Sequence, residues 1–325
     1  MNRFFKIHAL LLGLAMSCVG FTTAHAMVKT YIGPSSGDWT EAANWSPAGV
    51  PTSADDVVSV GSPSTNILVG YTDLINFKSL TLTSTTLQLA GFINNGVNIT
   101  LEAGGVIVQK NSNSAILNFN RMQVITGDLV IKAGGLLTLN NEVYGSENQV
   151  FFKANNIDIR MNGAVDVSGH GYSGGFAGVR GEGPGAGAGS TGTSQGAGGA
   201  GNGGAGGNGL YGALGGSSYC DFSNPRAGSG GGGGPSDYNS AHGGGVLRLW
   251  AINNLNVDGK ILANGEAGFA GTNAGGSAGG GIIVQAKTIT GSPQAIQANG
   301  GDGDTTGGGG AGGCVSFRFS QSSSF

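Results

Sequence analysis

Charged residues are scarce in this sequence, and this limits what the protein can do. Asp, Glu, Lys and Arg together make up 10% of the 325 residues, which leaves little material for acid–base catalysis. The formal net charge is −3, from 15 Lys and Arg against 18 Asp and Glu. Proteins that bind nucleic acid or an anionic membrane surface are usually basic. The sequence therefore predicts no nucleic-acid partner.

Long apolar runs are absent as well, apart from one near the N-terminus. Two basic residues precede an apolar stretch at 9–15, and a small-x-small cleavage site ends at Ala26. This pattern predicts a signal peptide over residues 1–26, because the apolar stretch is too short for a transmembrane helix. We expect a secreted, extracellular or cell-surface protein, with the periplasm as the alternative location, and no integral membrane segment.

Cysteine is rare: beyond residue 26 only Cys220 and Cys314 remain. In an oxidising compartment such a pair can form a disulfide. A disulfide that closes so long a loop would stabilise the fold by about 4 kcal/mol on the chain-entropy model. The alternative is two unpaired thiols, one on a loop and the other facing a core. The spacing of the two residues does not decide between these hypotheses.

No motif in the sequence reaches the standard of a catalytic or cofactor-binding site. The Gly-x-Ser-x-Gly pattern at 171–175 resembles a hydrolase nucleophile turn, but a glycine tract follows where that turn needs a helix. The Gly-x-Gly-x-x-Gly pattern at 201–206 lacks a βαβ setting. Beyond residue 26 the histidines are His170 and His242, which are too few and too far apart for zinc. We predict no catalytic residue, no cofactor-binding residue and no metal ligand.

Calcium is the one cofactor that the sequence leaves open. Residues 300–304 read Gly-Gly-Asp-Gly-Asp, which is close to a calcium-binding β-helix repeat, but Thr305 stands where that repeat has Asp. Asp55 and Asp56 could also supply oxygen ligands, although hydrogen bonding to the turn after Pro51 explains them more simply.

Acidic and basic side chains of two repeats could form the active site of a polysaccharide-cleaving enzyme. Glycosidases use a pair of carboxylates that flank the sugar bond. The candidate side chains are Asp158, Arg160, Asp166, Arg248, Asp258 and Lys260. Because Asp166 does not align with a second acid, a carbohydrate-active enzyme is the alternative hypothesis rather than the first one.

What the sequence has in abundance is β-type alternation arranged in repeats. Residues 99–108 return at 129–139, an offset of 30. A second set of similar segments begins at Val150, Val246, Ile282 and Val315. The last three starts are 36 and 33 residues apart. Repeats of fixed period indicate that each unit buries its apolar face against its neighbours. The pattern predicts an all-β fold, a single-stranded parallel β-helix (a solenoid), rather than a β-sandwich, which does not predict repeats.

Glycine is the other abundant feature, and 31 of the chain's 67 glycines lie between residues 171 and 245. This block is either a flexible linker, an ordered loop pinned by aromatic residues, or a set of polyproline-II-like strands. The aromatic residues in question are Phe176, Tyr211, Tyr219, Phe222 and Tyr238. Shorter glycine runs at 268–281 and 300–313 follow the next two repeats at the same place. Their shared exit predicts glycine-rich side loops that lie together along the solenoid.

The N-terminal segment resembles a known motif. Residues 37–46 read Gly-Asp-Trp-Thr-Glu-Ala-Ala-Asn-Trp-Ser, followed by Gly-Val-Pro at 49–51 and Asp-Asp-Val at 55–57. This resembles the opening motif of bacterial secreted and surface parallel β-helix proteins of the adhesin type, including autotransporter passengers. The resemblance implies a role in adhesion or extracellular matrix, with surface glycans or a host or neighbouring cell surface as partners.

Two tryptophans of that motif have two interpretations. Trp39 and Trp45 could cover the open end of a β stack with their large apolar rings, or they could contact a sugar. The aromatic residues that we consider as candidate ligand contacts are Trp39, Trp45, Tyr211, Tyr219 and Tyr238.

The sequence therefore predicts a signal peptide over 1–26 and one β-helix domain over 27–325. Within it, 27–60 form an N-terminal capping segment and 171–245 a glycine-rich insertion. We expect a binding or structural protein rather than an enzyme. The alternative is a polysaccharide lyase or glycosidase of the β-helix class.

Overall fold

A computed structural model describes residues 26–110, 122–140, 149–236, 241–292 and 294–321. The predicted signal peptide lies outside these residues, apart from Ala26. The described part of the chain is all-β except for a short 3-10 helix at Ala42–Asn44. Within it, no helix combines the length and the hydrophobicity needed to cross a membrane.

The described ranges contain twenty strands. In chain order they are β1 (Val28–Tyr31), β2 (Ser36–Asp38), β3 (Trp45–Ser46), β4 (Asp56–Val69), β5 (Leu74–Leu89), β6 (Phe92–Leu101), β7 (Val106–Lys110), β8 (Gln123–Val124), β9 (Asp128–Ile131), β10 (Leu136–Asn140), β11 (Gln149–Ala154), β12 (Asn156–Ile159), β13 (Ala164–Asp166), β14 (Val246–Ala251), β15 (Asn254–Val257), β16 (Lys260–Leu262), β17 (Gly281–Ala286), β18 (Thr288–Gly291), β19 (Ile296–Gln297) and β20 (Cys314–Phe319).

Sixteen of these strands form three parallel stacks, and β1 to β4 join the first sheet outside its main strand order. The first sheet has the order β18-β15-β12-β9-β6-β5-β7-β10-β13-β16-β19 and the second the order β20-β17-β14-β11-β8. Strand β5 turns the first sheet into two limbs, because its first part pairs with β6 and its last part with β7. Ser84, with a φ of 45°, lies between the two parts. Only β1 and β3 pair antiparallel among the described strands.

The strand register follows the sequence repeat. Ile99 pairs with Leu129 and Val106 with Leu136, which confirms the offset of 30 residues. The later offset is wrong by one residue, since Val246 pairs with Gly281 rather than with Ile282. Each of these strands contains two consecutive apolar residues, Val246-Leu247 and Ile282-Ile283, so the sequence does not show which of the two faces the core. In the structure the inward-facing residue Leu247 pairs with Ile282.

The core lies between the three stacks and is filled by alternate residues of each strand. Leu129 and Ile131 of β9 and Leu137 and Leu139 of β10 are all buried, while the residues between them face outward. Full burial of such a side chain contributes about 1.5–3 kcal/mol. The structure is therefore all-β, with parallel strands in register, and is compatible with a β-helix or another solenoid-like fold.

The three glycine-rich runs leave this stack at one corner. They connect β13 to β14, β16 to β17 and β19 to β20, which are equivalent positions in successive repeats. The longest run pairs with itself at intervals of three residues. Tyr172, Gly175 and Gly178 donate their amides to Gly228, Gly231 and Gly234 at 2.9–3.0 Å. This interval equals the three residues per turn of a polyproline-II strand.

The runs of different repeats are also joined to one another. Ala200 donates its backbone amide to Gly276, Gly276 donates to Gly308, and Gly308 donates to Ala197, each at 2.9 Å. A free linker would be solvated and would lack such bonds. The glycine-rich residues therefore form an ordered layer, and we call residues 171–236, 265–280 and 299–313 the glycine layer.

Candidate ligand-binding face

Trp39 and Trp45 are both only 1% exposed, so neither can contact a ligand. Their ring centres are 4.8 Å apart in an edge arrangement, and the Trp45 Nε1 donates to the Trp39 carbonyl oxygen at 2.8 Å. Tyr31 and Phe77 pack against the same pair. The sugar-contact hypothesis is wrong for both tryptophans, because their apolar rings gain more from closing the core than from solvent exposure.

The two candidate tyrosines among the described residues, Tyr211 and Tyr219, have different environments. Tyr219 is half-buried, and its hydroxyl donates to the Ala227 carbonyl oxygen at 2.5 Å and accepts from Ser229 Oγ at 2.9 Å. Burial raises the pKa of Tyr219 to about 12, as expected for a phenol inside the layer. Tyr211 is 79% exposed, and Tyr238 lies outside the described residues.

Three of the five aromatic residues proposed to pin the glycine layer, Phe176, Tyr211 and Phe222, point to solvent. Tyr219 alone among the described candidates hydrogen-bonds within the layer, to Ala227 and Ser229. Backbone hydrogen bonds hold the rest of the layer, because glycine allows neighbouring chains to approach without a side chain between them.

The two cysteines are joined across a long stretch of chain. Cys220 of the glycine layer and the buried Cys314 of β20 form a disulfide with Cα atoms 5.8 Å apart. The segment 221–226 that follows Cys220 lies beside the second sheet. Asn224 Oδ1 accepts from Arg248 Nη2 at 2.6 Å, and the Ser223 carbonyl oxygen accepts from Arg318 Nη2 at 2.7 Å.

The candidate carboxylates take part in polar ladders between strands. Asp158 Oδ1 accepts from Asn256 Nδ2 at 3.0 Å, and Asp158 Oδ2 from Arg160 Nε at 2.8 Å. The Asn256 side-chain amide also donates to Asp258 Oδ2, at 2.9 Å. The bond between Asp158 and Asn256 links the neighbouring strands β12 and β15, as cross-strand polar pairs do. The other two bonds join residues two positions apart in the sequence.

The remaining candidates of that set lie elsewhere. Asp166 is in β13, on the other limb, where its Oδ1 accepts from the Ser168 amide at 2.8 Å. Lys260 is in β16 on that limb, and Arg248 is on the second sheet. The structure therefore does not bring the six residues into one site.

In residues 300–304, which resemble a calcium-binding repeat, Asp304 binds backbone amides of the neighbouring glycine-rich run. Asp304 Oδ2 accepts from the amides of Thr272 and Asn273 at 2.8 and 2.9 Å. Burial alone would raise the pKa of Asp304, but these backbone bonds outweigh it and lower the pKa. Among the residues that the structure describes, no group of three His, Cys, Asp or Glu side chains could hold a metal ion.

A different set of residues, which the sequence reasoning missed, forms a row on the outer face of the second sheet. Lys153, Trp250, Gln285 and Arg318 are register partners on β11, β14, β17 and β20. They face outward because the residues beside them, such as Leu249, face the core. An alignment of the repeats by their buried positions would have placed these four side chains in one row.

Two cavities flank this row. One has a volume of about 350 Å³ and is lined in part by Trp250, Gln285, Lys287 and Arg318. The other has a volume of about 200 Å³ and shares Trp250, Gln285 and Arg318, with Arg248 added. Because the cavities share three residues, we treat them as one groove. We define the Trp250 groove by the side chains of Lys153, Arg248, Trp250, Gln285, Lys287 and Arg318.

The groove is cationic in a chain of net negative charge. It gathers two lysines and two arginines, and neither cavity is lined by Asp or Glu. Lys153 Nζ lies 3.9 Å from the centre of the Trp250 ring, a cation–π contact. Within the described ranges, neither Lys153 nor Arg318 forms an ion pair. The adjoining segment carries Asp221, whose carboxylate binds the amide and hydroxyl of Ser223.

Comparison with known proteins does not assign the chain to a family. No family model, curated protein or solved structure matches it. The Trp250 groove itself therefore carries the functional proposal.

Proposed function

We propose that this chain is an exported, single-domain parallel β-helix that binds surface glycans through the Trp250 groove, in adhesion or in an extracellular matrix. The single observation that carries the binding role is the outward row on the second sheet. It combines an aromatic ring, an amide and cations on four adjacent strands.

The β-helix assignment is supported by the three parallel stacks and by the pairing of equivalent strands of successive repeats. Each repeat adds one strand to each stack, as in solenoids whose units contact only their neighbours. The glycine layer is proposed to be a bundle of polyproline-II-like strands. Its three-residue hydrogen-bond interval supports this.

Export is supported by the disulfide between Cys220 and Cys314, because disulfides persist in oxidising compartments. The sequence of residues 1–26 supports it as well, since a basic start, a short apolar stretch and a small-x-small site are typical of a signal peptide.

Glycan binding is supported by the chemistry of the groove. Binding sites for small ligands combine an apolar surface with a few convergent polar groups. Trp250 supplies a large amphipathic ring that borders both cavities. Gln285 can donate to and accept from sugar hydroxyls, and Arg318 can donate to them. A rigid sheet holds these groups at a fixed spacing.

No observation favours the carbohydrate-active enzyme over the binding protein. A glycosidase needs two carboxyl groups beside the sugar bond, and the cavities of the groove are lined by neither Asp nor Glu. Asp158, Asp166 and Asp258 lie on other faces.

A glycan array tests the proposal. We expect the chain starting at Met27 to bind at least one polysaccharide, and Trp250→Ala to weaken that binding at least about tenfold. Tyr211→Ala is the matched control. It removes an exposed aromatic ring of the glycine layer that lines neither cavity of the groove. The proposal fails if no glycan binds, or if Trp250→Ala binds as well as the unaltered chain. Turnover of a bound glycan would favour the enzyme.

A further inference from the structure

The length of the Trp250 groove follows from the strand register. The backbones of Lys153 and Arg318 lie at the two ends of one row, with Trp250 and Gln285 between them. Neighbouring strands are about 4.8 Å apart, so the row spans about 14 Å. The groove is therefore long enough to contact a chain at several points rather than a single small group.

Two of the cations are held in place by the segment behind the disulfide. Arg318 donates to the Ser223 carbonyl oxygen and Arg248 to the Asn224 side chain. A guanidinium has five N–H donors, and the bond from Arg318 to Ser223 uses one nitrogen. Arginine recognises planar carboxylate and sulfate-like groups with paired donors. These contacts orient the guanidinium groups before any ligand arrives.

Like charges on one face repel one another, and a ligand of opposite sign relieves that repulsion. The chain as a whole has a net charge of −3 and a pI of about 5.7, so four cations on one groove are a local feature. A nucleic-acid-binding domain is instead basic as a whole or along an extended stripe. The charge distribution therefore favours an anionic glycan over DNA or RNA.

We infer that the Trp250 groove binds an anionic polysaccharide, one that carries carboxylate or sulfate groups along its chain. The part of the Trp250 ring that Lys153 leaves uncovered contacts a sugar. Lys153, stacked on that ring, and Arg318, two strands away, bind acidic groups. This inference rests on the proposed glycan-binding function and adds the chemical class of the ligand.

Matched pairs of ligands test whether the groove reads charge. We expect the chain starting at Met27 to bind polygalacturonate at least about tenfold more tightly than its full methyl ester, and dextran sulfate more tightly than dextran. Binding of the charged member should weaken between 50 and 200 mM salt, because exposed ionic contacts are screened. Equal binding of charged and neutral members would overturn the inference and leave the glycan-binding function standing.

Variants locate the effect in the groove. Arg318→Gln and Lys153→Gln should each weaken binding of the charged member of a ligand pair by about five- to tenfold more than binding of its neutral counterpart. The control is Lys78→Gln, an exposed lysine on the first sheet that pairs with Asp56. Unaltered binding by both groove variants would overturn the inference. Thermal unfolding of each variant shows that it is folded, so a loss of binding can be assigned to the lost charge.

Two further ligands complete the test. A duplex DNA oligomer and vesicles containing anionic lipid offer negative charge without a sugar polymer of the expected kind. Binding of either one more tightly than the charged polysaccharides would assign the groove to another polyanion and overturn the inference. If no glycan binds at all, the inference and the proposed function both fail.

Discussion

Gly276 and Gly308 are joined by a backbone hydrogen bond of 2.9 Å, although they belong to glycine-rich runs that follow different repeats. A side chain on Gly276 would overlap the carbonyl oxygen of Gly301. The close approach of the two runs therefore depends on the missing Cβ, and the glycine layer is part of the folded structure rather than an appendage.

We predict that Gly276→Ala lowers the free energy of unfolding by about 1–3 kcal/mol, because the added methyl group forces packed backbone segments apart. Gly309→Ala is the control: its Cβ would find its nearest atom, the Gly301 carbonyl oxygen, at 4.0 Å, and we expect a change within about 0.5 kcal/mol. Urea unfolding of both variants measures the difference. Equal stability of the two would show that the layer is not closely packed in solution.

The stability of the protein should depend on pH, because two histidines next to the glycine layer, His170 and His242, have lowered pKa values. The His170 imidazole lies near Asp166, Glu266 and His242. Burial lowers the pKa of His170, and the two carboxylates offset only part of this. Burial also lowers the pKa of His242, while Glu266 and Glu182 oppose the shift. A histidine with a lowered folded-state pKa binds more protons when unfolded, so its stabilisation is lost as pH falls below about 6.5.

We therefore expect the urea midpoint to fall between pH 7 and pH 5, and His170→Gln to reduce that slope. His242→Gln should also reduce the change in urea midpoint between pH 7 and pH 5, by its own contribution. This window avoids the titration of most carboxylates. A slope that neither substitution changes would contradict the assignment to these histidines.

The disulfide should stabilise both the fold and the groove. We predict that Cys220→Ser lowers the free energy of unfolding by about 2–5 kcal/mol, and that a reductant has the same effect on the unaltered chain but none on the variant. Because the segment after Cys220 contacts Arg248 and Arg318, glycan binding should weaken in parallel. Identical unfolding curves with and without reductant would contradict the prediction.

The tryptophans should separate into structural and ligand-binding roles. Trp39→Ala leaves a cavity at a fully buried site, so we expect a loss of about 3–5 kcal/mol of stability. Trp250→Ala acts at the outward face and should change stability much less while it weakens binding. Denaturant unfolding and glycan binding are measured on both variants. A larger loss of stability in Trp250→Ala, or a larger loss of binding in Trp39→Ala, would contradict both assignments.

Cleavage of the predicted signal peptide should itself stabilise the fold. The Met27 backbone nitrogen lies 3.1 Å from Asp55 Oδ1, so a cleaved chain would place an ammonium group beside a buried carboxylate. We predict that a chain starting at Met27 is about 0.5–1 kcal/mol more stable than one with residues 20–26 retained. The difference should disappear above the α-amino pKa of about 8 and in Asp55→Asn. A difference that persists in that variant would contradict the ion pair.

The repeat architecture could be predicted from sequence because its cause is local. Alternating apolar residues and a fixed offset of 30 require that Ile99 and Leu129 occupy equivalent places. The offset of 36 failed by one residue because Val246-Leu247 and Ile282-Ile283 both offer two apolar positions, and only packing selects the inward one.

The candidate site could not be predicted in the same way. Lys153 and Trp250 are separated by the whole glycine-rich block, and neither belongs to a motif. They meet only because β11 and β14 are neighbours in the second sheet. Trp39 and Trp45 carried the more visible signal, yet they are buried, since the sequence does not reveal which rings close the end of the core.

The sequence by itself determined the all-β class, the repeat and the single exit corner of the glycine-rich runs, because alternation and periodicity are properties of neighbouring residues. The tertiary structure decided how the runs bond to one another, which aromatic rings are covered and which cations share a face. Those outcomes depend on strand register and chain packing, which bring together residues that are distant along the chain. The glycine layer, the disulfide and the Trp250 groove all arise in this way.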